Sequence, residues 1–188
     1  MKQVFKMPKP VKITARTSAI TNSFINGIIP TIKPTDAEIQ DALETLGMTE
    51  ETICCAYCGD AYTEWDHMRP LIQNKRPTGY ISEIHNLVPA CGKCNQSKGN
   101  KAWREWILSD AELSPHSRNI PGLSDRIKRL TEYEEKYIPV KMDFESIVGK
   151  ERWEKHWANC ERLHQIMKEY QQFSDELKAE LEKSITVQ

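Results

Sequence analysis

The chain has 188 residues, 39% hydrophobic and 28% charged, with a mean hydropathy of −0.62. Folding at this length buries roughly 70% of the unfolded surface, and the Trp, Leu and Ile content excludes a wholly disordered or collagen-like chain. No apolar run approaches the ~18 residues that cross a bilayer, and 26 basic against 27 acidic residues leave none of the surplus that a dedicated polyanion binder carries.

The first 16 residues hold Lys2, Lys6, Lys9, Lys12 and Arg16 and no acid. Pro8 and Pro10 break any helix there, so a basic arm with little fixed structure is expected. The opening Met1 to Pro8 has no apolar stretch behind its charges, which is unlike a secretory signal. The expected compartment is therefore the cytoplasm, where thiols stay reduced. Thr35-Asp36-Ala37-Glu38 is a capping box. Ile39, Leu43 and Leu46 follow on one helical face, and Gly47 can close that helix in a left-handed turn.

Residues 54–106 carry seven basic against five acidic groups and every cluster that looks chemical. Glu64 to Pro70 reads as a short strand. Trp103, Trp106 and Ile107 have helical spacing and read as the packing face of a helix that follows the second knuckle, the alternative being a base-stacking platform. Pro115 and Pro121-Gly122 mark a linker or loop. Ser124 can begin a helix that runs to about Tyr137, with Ile127, Leu130 and Tyr133 inward, and Pro139 ends it. Trp153, Trp157, Cys160, Leu163, Met167, Tyr170, Phe173, Leu177 and Leu181 recur every three or four positions. They form one apolar stripe on a helix some 30 residues long, suited to packing on the rest of the protein or to a homodimer seam.

Four of the six cysteines fall in two C-x2-C knuckles, Cys55 with Cys58 and Cys91 with Cys94. Each knuckle turns two thiolates toward one centre, and two knuckles supply the tetrahedral sulfur set that structural Zn²⁺ prefers. A redox dithiol needs only one pair. Cys54 and Cys160 have no partner knuckle and read as packing thiols. The polar segment between the knuckles could not hold its shape by burial, which gives the metal a mechanical purpose.

That segment contains the remaining chemistry. Asp66 offers a hard anionic oxygen and Asn95 an amide oxygen; with waters and a substrate phosphate, two such ligands suit Mg²⁺. His67, neutral at cellular pH, could deprotonate water. It follows Asp66 directly, so on a strand the two side chains diverge; a bulge or a strand end has to serve both. Asn86 could pin the loop that fixes the His67 ring. Lys98 could hold a phosphate as a point charge, and Arg69 and Lys101 are further candidates for nucleic-acid contact.

In this order, C-x2-C, Asp-His, Asn and C-x2-C-Asn-x2-Lys, residues 55–101 resemble the HNH nuclease motif. This is the ββα-metal finger of the His-Me superfamily, here in its four-cysteine, zinc-bound form. The pattern is similar to the HNH domains of phage resolvase-type, restriction and homing endonucleases. The resemblance implies that His67 is the general base, that Asp66 is a metal ligand and that Asn86 positions the loop and the base. It implies that Asn95, where the family has His or Asn, completes a divalent site. In this H-N-N version an amide oxygen is harder than imidazole and favours Mg²⁺ or Mn²⁺. The implied products carry a 5′-phosphate and a 3′-hydroxyl.

The expected fold is α+β and mainly helical, with a zinc-braced ββα finger clasped by helices from both flanks. The expected regions are a basic arm and helix at 1–53, the finger at 54–110 and a helical region at 111–188. The expected activity is DNA phosphodiester hydrolysis, in restriction, other defence or phage DNA processing. The alternatives are a non-catalytic zinc-dependent nucleic-acid-binding module, or an interaction protein working through its last helix.

Overall fold

The computed structural model describes residues 7–186; Lys2 and Lys6 of the expected basic arm lie outside them. A 3-10 turn at Ile13–Arg16 precedes α1 (Thr17–Asn26) and α2 (Asp36–Thr45). Then come β1 (Glu64–His67), β2 (Ile72–Gln73), β3 (Arg76–Pro77) and β4 (Leu87–Ala90). The rest is helical: α3 (Gly92–Lys98), α4 (Trp103–Ile107), α5 (Leu123–Lys136), α6 (Phe144–Val148) and α7 (Lys150–Thr186). The architecture is thus α+β and mainly helical. No helix among the described residues is long and apolar enough to cross a membrane.

The chain divides into two compact units, 28–143 and the pair of segments 1–27 and 144–188. In the second of these, α1 packs against the first half of α7. Thr21 meets His164 Nε2 at 3.3 Å, and His156 Nε2 donates to the Phe24 carbonyl at 3.0 Å. Trp157, Cys160 and Met167 are buried, as expected of the stripe. Further along, Tyr170, Phe173, Leu177 and Leu181 of that stripe are exposed.

The unit 28–143 is built round the finger. The capping box at Thr35 forms in both directions. The end of α2 is a Schellman motif, with Met48 N–H bonded to Leu43 O and Gly47 N–H to Glu44 O and Gly47 at φ +70°; the left-handed residue lets both last carbonyls be satisfied. β1 pairs antiparallel with β4, Glu64 opposite Ala90 through His67 opposite Leu87, and α3 completes the ββα unit. β2 and β3 form a separate hairpin between them.

The expected helix after the second knuckle is two helices. α3 ends at Gly99, whose φ of +52° turns the chain before α4 begins. Trp103, Trp106 and Ile107 are buried on α4 and pack as expected. Their cluster takes in Leu43, Leu46 and Met48 from the α2 region, Tyr57 and the four knuckle cysteines, Val88 and Ala90 from β4, and Leu130 and Tyr133 from α5. The hydrophobic core therefore runs without a break across positions 53/54 and 110/111. α5 starts one residue before Ser124, after Gly122 in the left-handed region, and has no side-chain cap.

Candidate active site

Two tight turns set the cysteines. At the first, Gly59 N–H bonds Cys55 O and Cys55 N–H bonds Asp60 O, both at 2.8 Å. At the second, Cys91 is the residue before α3, so Cys94 sits on its first turn. The four sulfurs lie within 4.8 Å of one another, with Cys58 and Cys91 3.6 Å apart. Zn–S bonds of ~2.3 Å in a tetrahedron give nearly that spacing. None of the six cysteines is in a disulfide. The neighbouring Cys58 sulfur, with burial adding to it, pushes the Cys55 thiol up to about 12. The Cys94 thiol is pushed up through Cys55 and Cys58. The Cys58 thiol is pulled the other way, down, by hydrogen bonds from Cys55 and Cys94, so one sulfur ionises at its neighbours' expense; a cation at the centre would let all four do so, and the donor set fits zinc.

β1 keeps a regular register with β4 up to His67, its last residue, so no bulge intervenes and the site uses the strand end. Asp66 points into the core. Its carboxylate accepts from Tyr57 Oη at 2.6 Å and from Lys98 Nζ at 3.0 Å on Oδ2 and 3.2 Å on Oδ1. Burial pushes the Asp66 carboxyl up, opposed by Lys98. Burial pushes the Lys98 ammonium down, opposed by Asp66. Burial, then the Asp66 charge, holds the Tyr57 phenol far above its usual range, so it stays a donor.

Lys98, expected at a phosphate, is placed differently: it is fully buried and also donates to His67 O at 2.8 Å and Gly99 O at 3.3 Å. Its ammonium ties the start of the turn after α3 to the end of β1. Removing one partner of a buried pair leaves an uncompensated charge, a loss of about 3–5 kcal/mol. Lys98→Met is expected to lower stability to urea by that order, and Asp66→Asn added to it should restore most of the loss. Simply additive losses would show that the pair is not coupled.

His67 is half-buried, with Nε2 2.9 Å from Ser82 Oγ. Burial, reinforced by the Lys98 charge, pushes its imidazole down to about 4, so the ring is neutral at cellular pH. Asn86 is fully buried and clamps the residue two beyond His67: Arg69 N–H donates to Oδ1 at 2.9 Å and Nδ2 donates to Arg69 O at 3.0 Å. Met68 N–H adds a bond to Asn86 O at 2.8 Å. The chain leaving His67 is thus held by three bonds to one asparagine.

The remaining candidates are dispersed. Asn95 lies on α3, half-exposed, and its carboxamide makes no hydrogen bond among the described residues. Arg69 Nη2 donates to the Glu134 and Tyr137 carbonyls at the end of α5, so it fastens that helix to β1. Lys101 Nζ caps the Ser97 carbonyl at 2.7 Å. Sequence reasoning overlooked Tyr57 and Ser82, and it overlooked Arg118, whose Nη2 lies 2.9 Å from Cys94 Sγ. Tyr57 was open to discovery, since it sits inside the first knuckle; Ser82 carries no such signal.

Residues 55–101 match the family model described as HNH endonuclease. The chain is also similar to the CRISPR-associated endonuclease Cas9 of Corynebacterium diphtheriae, 41% identical over 56 residues. That stretch is 28% of this chain and only 5% of the Cas9 protein. No solved structure matches the chain.

Proposed function

We propose that the HNH domain at residues 55–101 makes this protein a metal-dependent endonuclease that hydrolyses DNA phosphodiester bonds. The observation that carries the reading is a neutral imidazole at the end of β1, with the chain beyond it fixed by the buried Asn86. With Nε2 turned to Ser82, Nδ1 of His67 has no hydrogen-bond partner among the described residues. A tautomer with Nε2–H donating to Ser82 Oγ leaves Nδ1 unprotonated, ready to take a proton from an attacking water. Asn86 and Ser82 act as positioning residues, one on the backbone and one on the ring.

Asp66 and Asn95 would hold Mg²⁺ or Mn²⁺. The fit rests on the hardness of a carboxylate and an amide oxygen; the Asp66 carboxylate, which Lys98 and Tyr57 now hold, would have to exchange the Lys98 ammonium for the ion. Such an ion, when bound, supplies positive charge to the developing charge on the leaving oxygen. A zinc ion held by Cys55, Cys58, Cys91 and Cys94 would brace the strand and helix that carry these groups. The Cas9 relative, an endonuclease by name, supports nuclease chemistry for the shared stretch. A role in restriction, other defence or phage DNA processing remains part of the proposal.

A groove lined by Arg69, Arg76, Tyr80 and Lys141 offers a place for the substrate backbone. Lys141→Gln is expected to make the log–log salt dependence of duplex binding shallower by about 0.9, the loss of one phosphate contact; an unchanged slope would remove Lys141 from the interface. The test of the reaction is incubation of mixed DNA with Mg²⁺, followed by sequencing of the ends. The expected ends carry 5′-phosphate and 3′-hydroxyl. Specific binding with no cleavage under any divalent ion would favour the non-catalytic module instead.

A further inference from the structure

The segment between α4 and α5 reads in the sequence as a plain loop, yet it is tightly built. Ser114 is fully buried; its Oγ donates to Ser109 O at 2.6 Å and accepts from Ser117 N–H at 3.1 Å. Arg118 N–H bonds Ser114 O and Asn119 N–H bonds His116 O. Asn119 takes φ +52°, in the left-handed region that asparagine tolerates better than most residues. What this loop presents is one side chain. Arg118 donates from Nη2 to Cys94 Sγ at 2.9 Å, and its Nη1 is 3.5 Å from Asp60 Oδ2. Asp60 in turn supplies the carbonyl that closes the first knuckle on Cys55. A single guanidinium therefore touches both knuckles, from a position outside the matched residues 55–101.

Four thiolates on one Zn²⁺ leave an excess of two negative charges in a buried site. N–H donors and a nearby cation draw electron density off sulfur and make the thiolate a poorer base and nucleophile. We propose that Arg118 is a positioning residue of the zinc centre: it donates an N–H···S bond to Cys94, offsets the charge of the tetrathiolate and locks both knuckles through Asp60. The inference rests on zinc occupying the four-sulfur cluster. Outer-shell partners of metal ligands commonly contribute 10–100-fold in affinity.

The test uses the full chain loaded with Zn²⁺ or, for its spectrum, with Co²⁺. Arg118→Ala is expected to weaken zinc binding about 10–100-fold in competition with a chromophoric chelator. It should also move the sulfur-to-cobalt charge-transfer band to lower energy, because the bare thiolate is more electron-rich. Arg118→Lys, which keeps a cation but loses the fork, should fall between. Arg126→Gln is the control: Arg126 Nη1 reaches only the Cys55 carbonyl, at 3.4 Å, so that change should leave the band in place. A wild-type band and affinity in Arg118→Ala, or an equal shift in Arg126→Gln, would overturn the proposal while leaving the zinc reading intact. A wild-type protein that takes up neither ion would overturn both.

Discussion

Chelation of the zinc is expected to unfold the finger as a whole, not merely loosen its rim. Cys55 and Cys58 open the segment that leads into β1, and Cys91 and Cys94 follow β4, so one ion joins both strands and α3 at a single point. The four sulfurs are themselves part of the buried cluster with Tyr57, Val88 and Trp106. Structural zinc contributes apparent binding energies of ~10–16 kcal/mol in small peptides, against a total stability of ~5–15 kcal/mol for most domains. Loss of the larger quantity cannot be absorbed by the smaller. Hydrogen exchange should report it: the amides of Ala56, Thr63 and Met68, all bonded across the finger, ought to lose protection together when the metal is removed. Retained protection at all three would mean that packing alone holds the finger.

Substituting His67 by Ala should abolish most cleavage while sparing the fold. General-base catalysis contributes roughly 10²–10⁴-fold. The structural role of the side chain is small by comparison, one hydrogen bond to Ser82, with a net contribution of about 1 kcal/mol. The variant should therefore bind DNA and zinc like the wild type, melt within a few degrees of it, and cut plasmid in Mg²⁺ two to four orders of magnitude more slowly. Equal nicking by both proteins would remove His67 from the chemistry and point to a contaminating activity. Together the two experiments separate the brace from the reaction: the first should change the fold, the second only the rate.

What could be read from the sequence was what local chemistry dictates. The knuckles, the Thr35 capping box and the Trp103, Trp106 and Ile107 face all depend on residue type at fixed short spacing, and all three formed. The β2–β3 hairpin was missed because its turn places Asn74 and Lys75 at φ +51° and +60°. Such turns favour Asn-Gly, and a lysine there gives no warning. The expected phosphate role of Lys98 assumed that a lysine near the site faces solvent. Its actual place depends on a buried carboxylate 32 positions earlier in the chain, and no local pattern encodes that. The Arg118 contact is of the same long-range kind: it requires the fold of a loop and a knuckle 24 residues apart.

The core that ignores the edges of the matched segment bears on any attempt to transplant the finger. Cutting at 55 and 101 would strip Leu46, Met48, Trp106, Leu130 and Tyr133 from the cluster and lay the inner wall of the finger open to water. It would also discard Tyr133, whose phenol donates to the Ile84 and Leu87 carbonyls, and the Arg118 guanidinium. A graft meant to remain soluble and keep its metal should carry residues 28–143 whole.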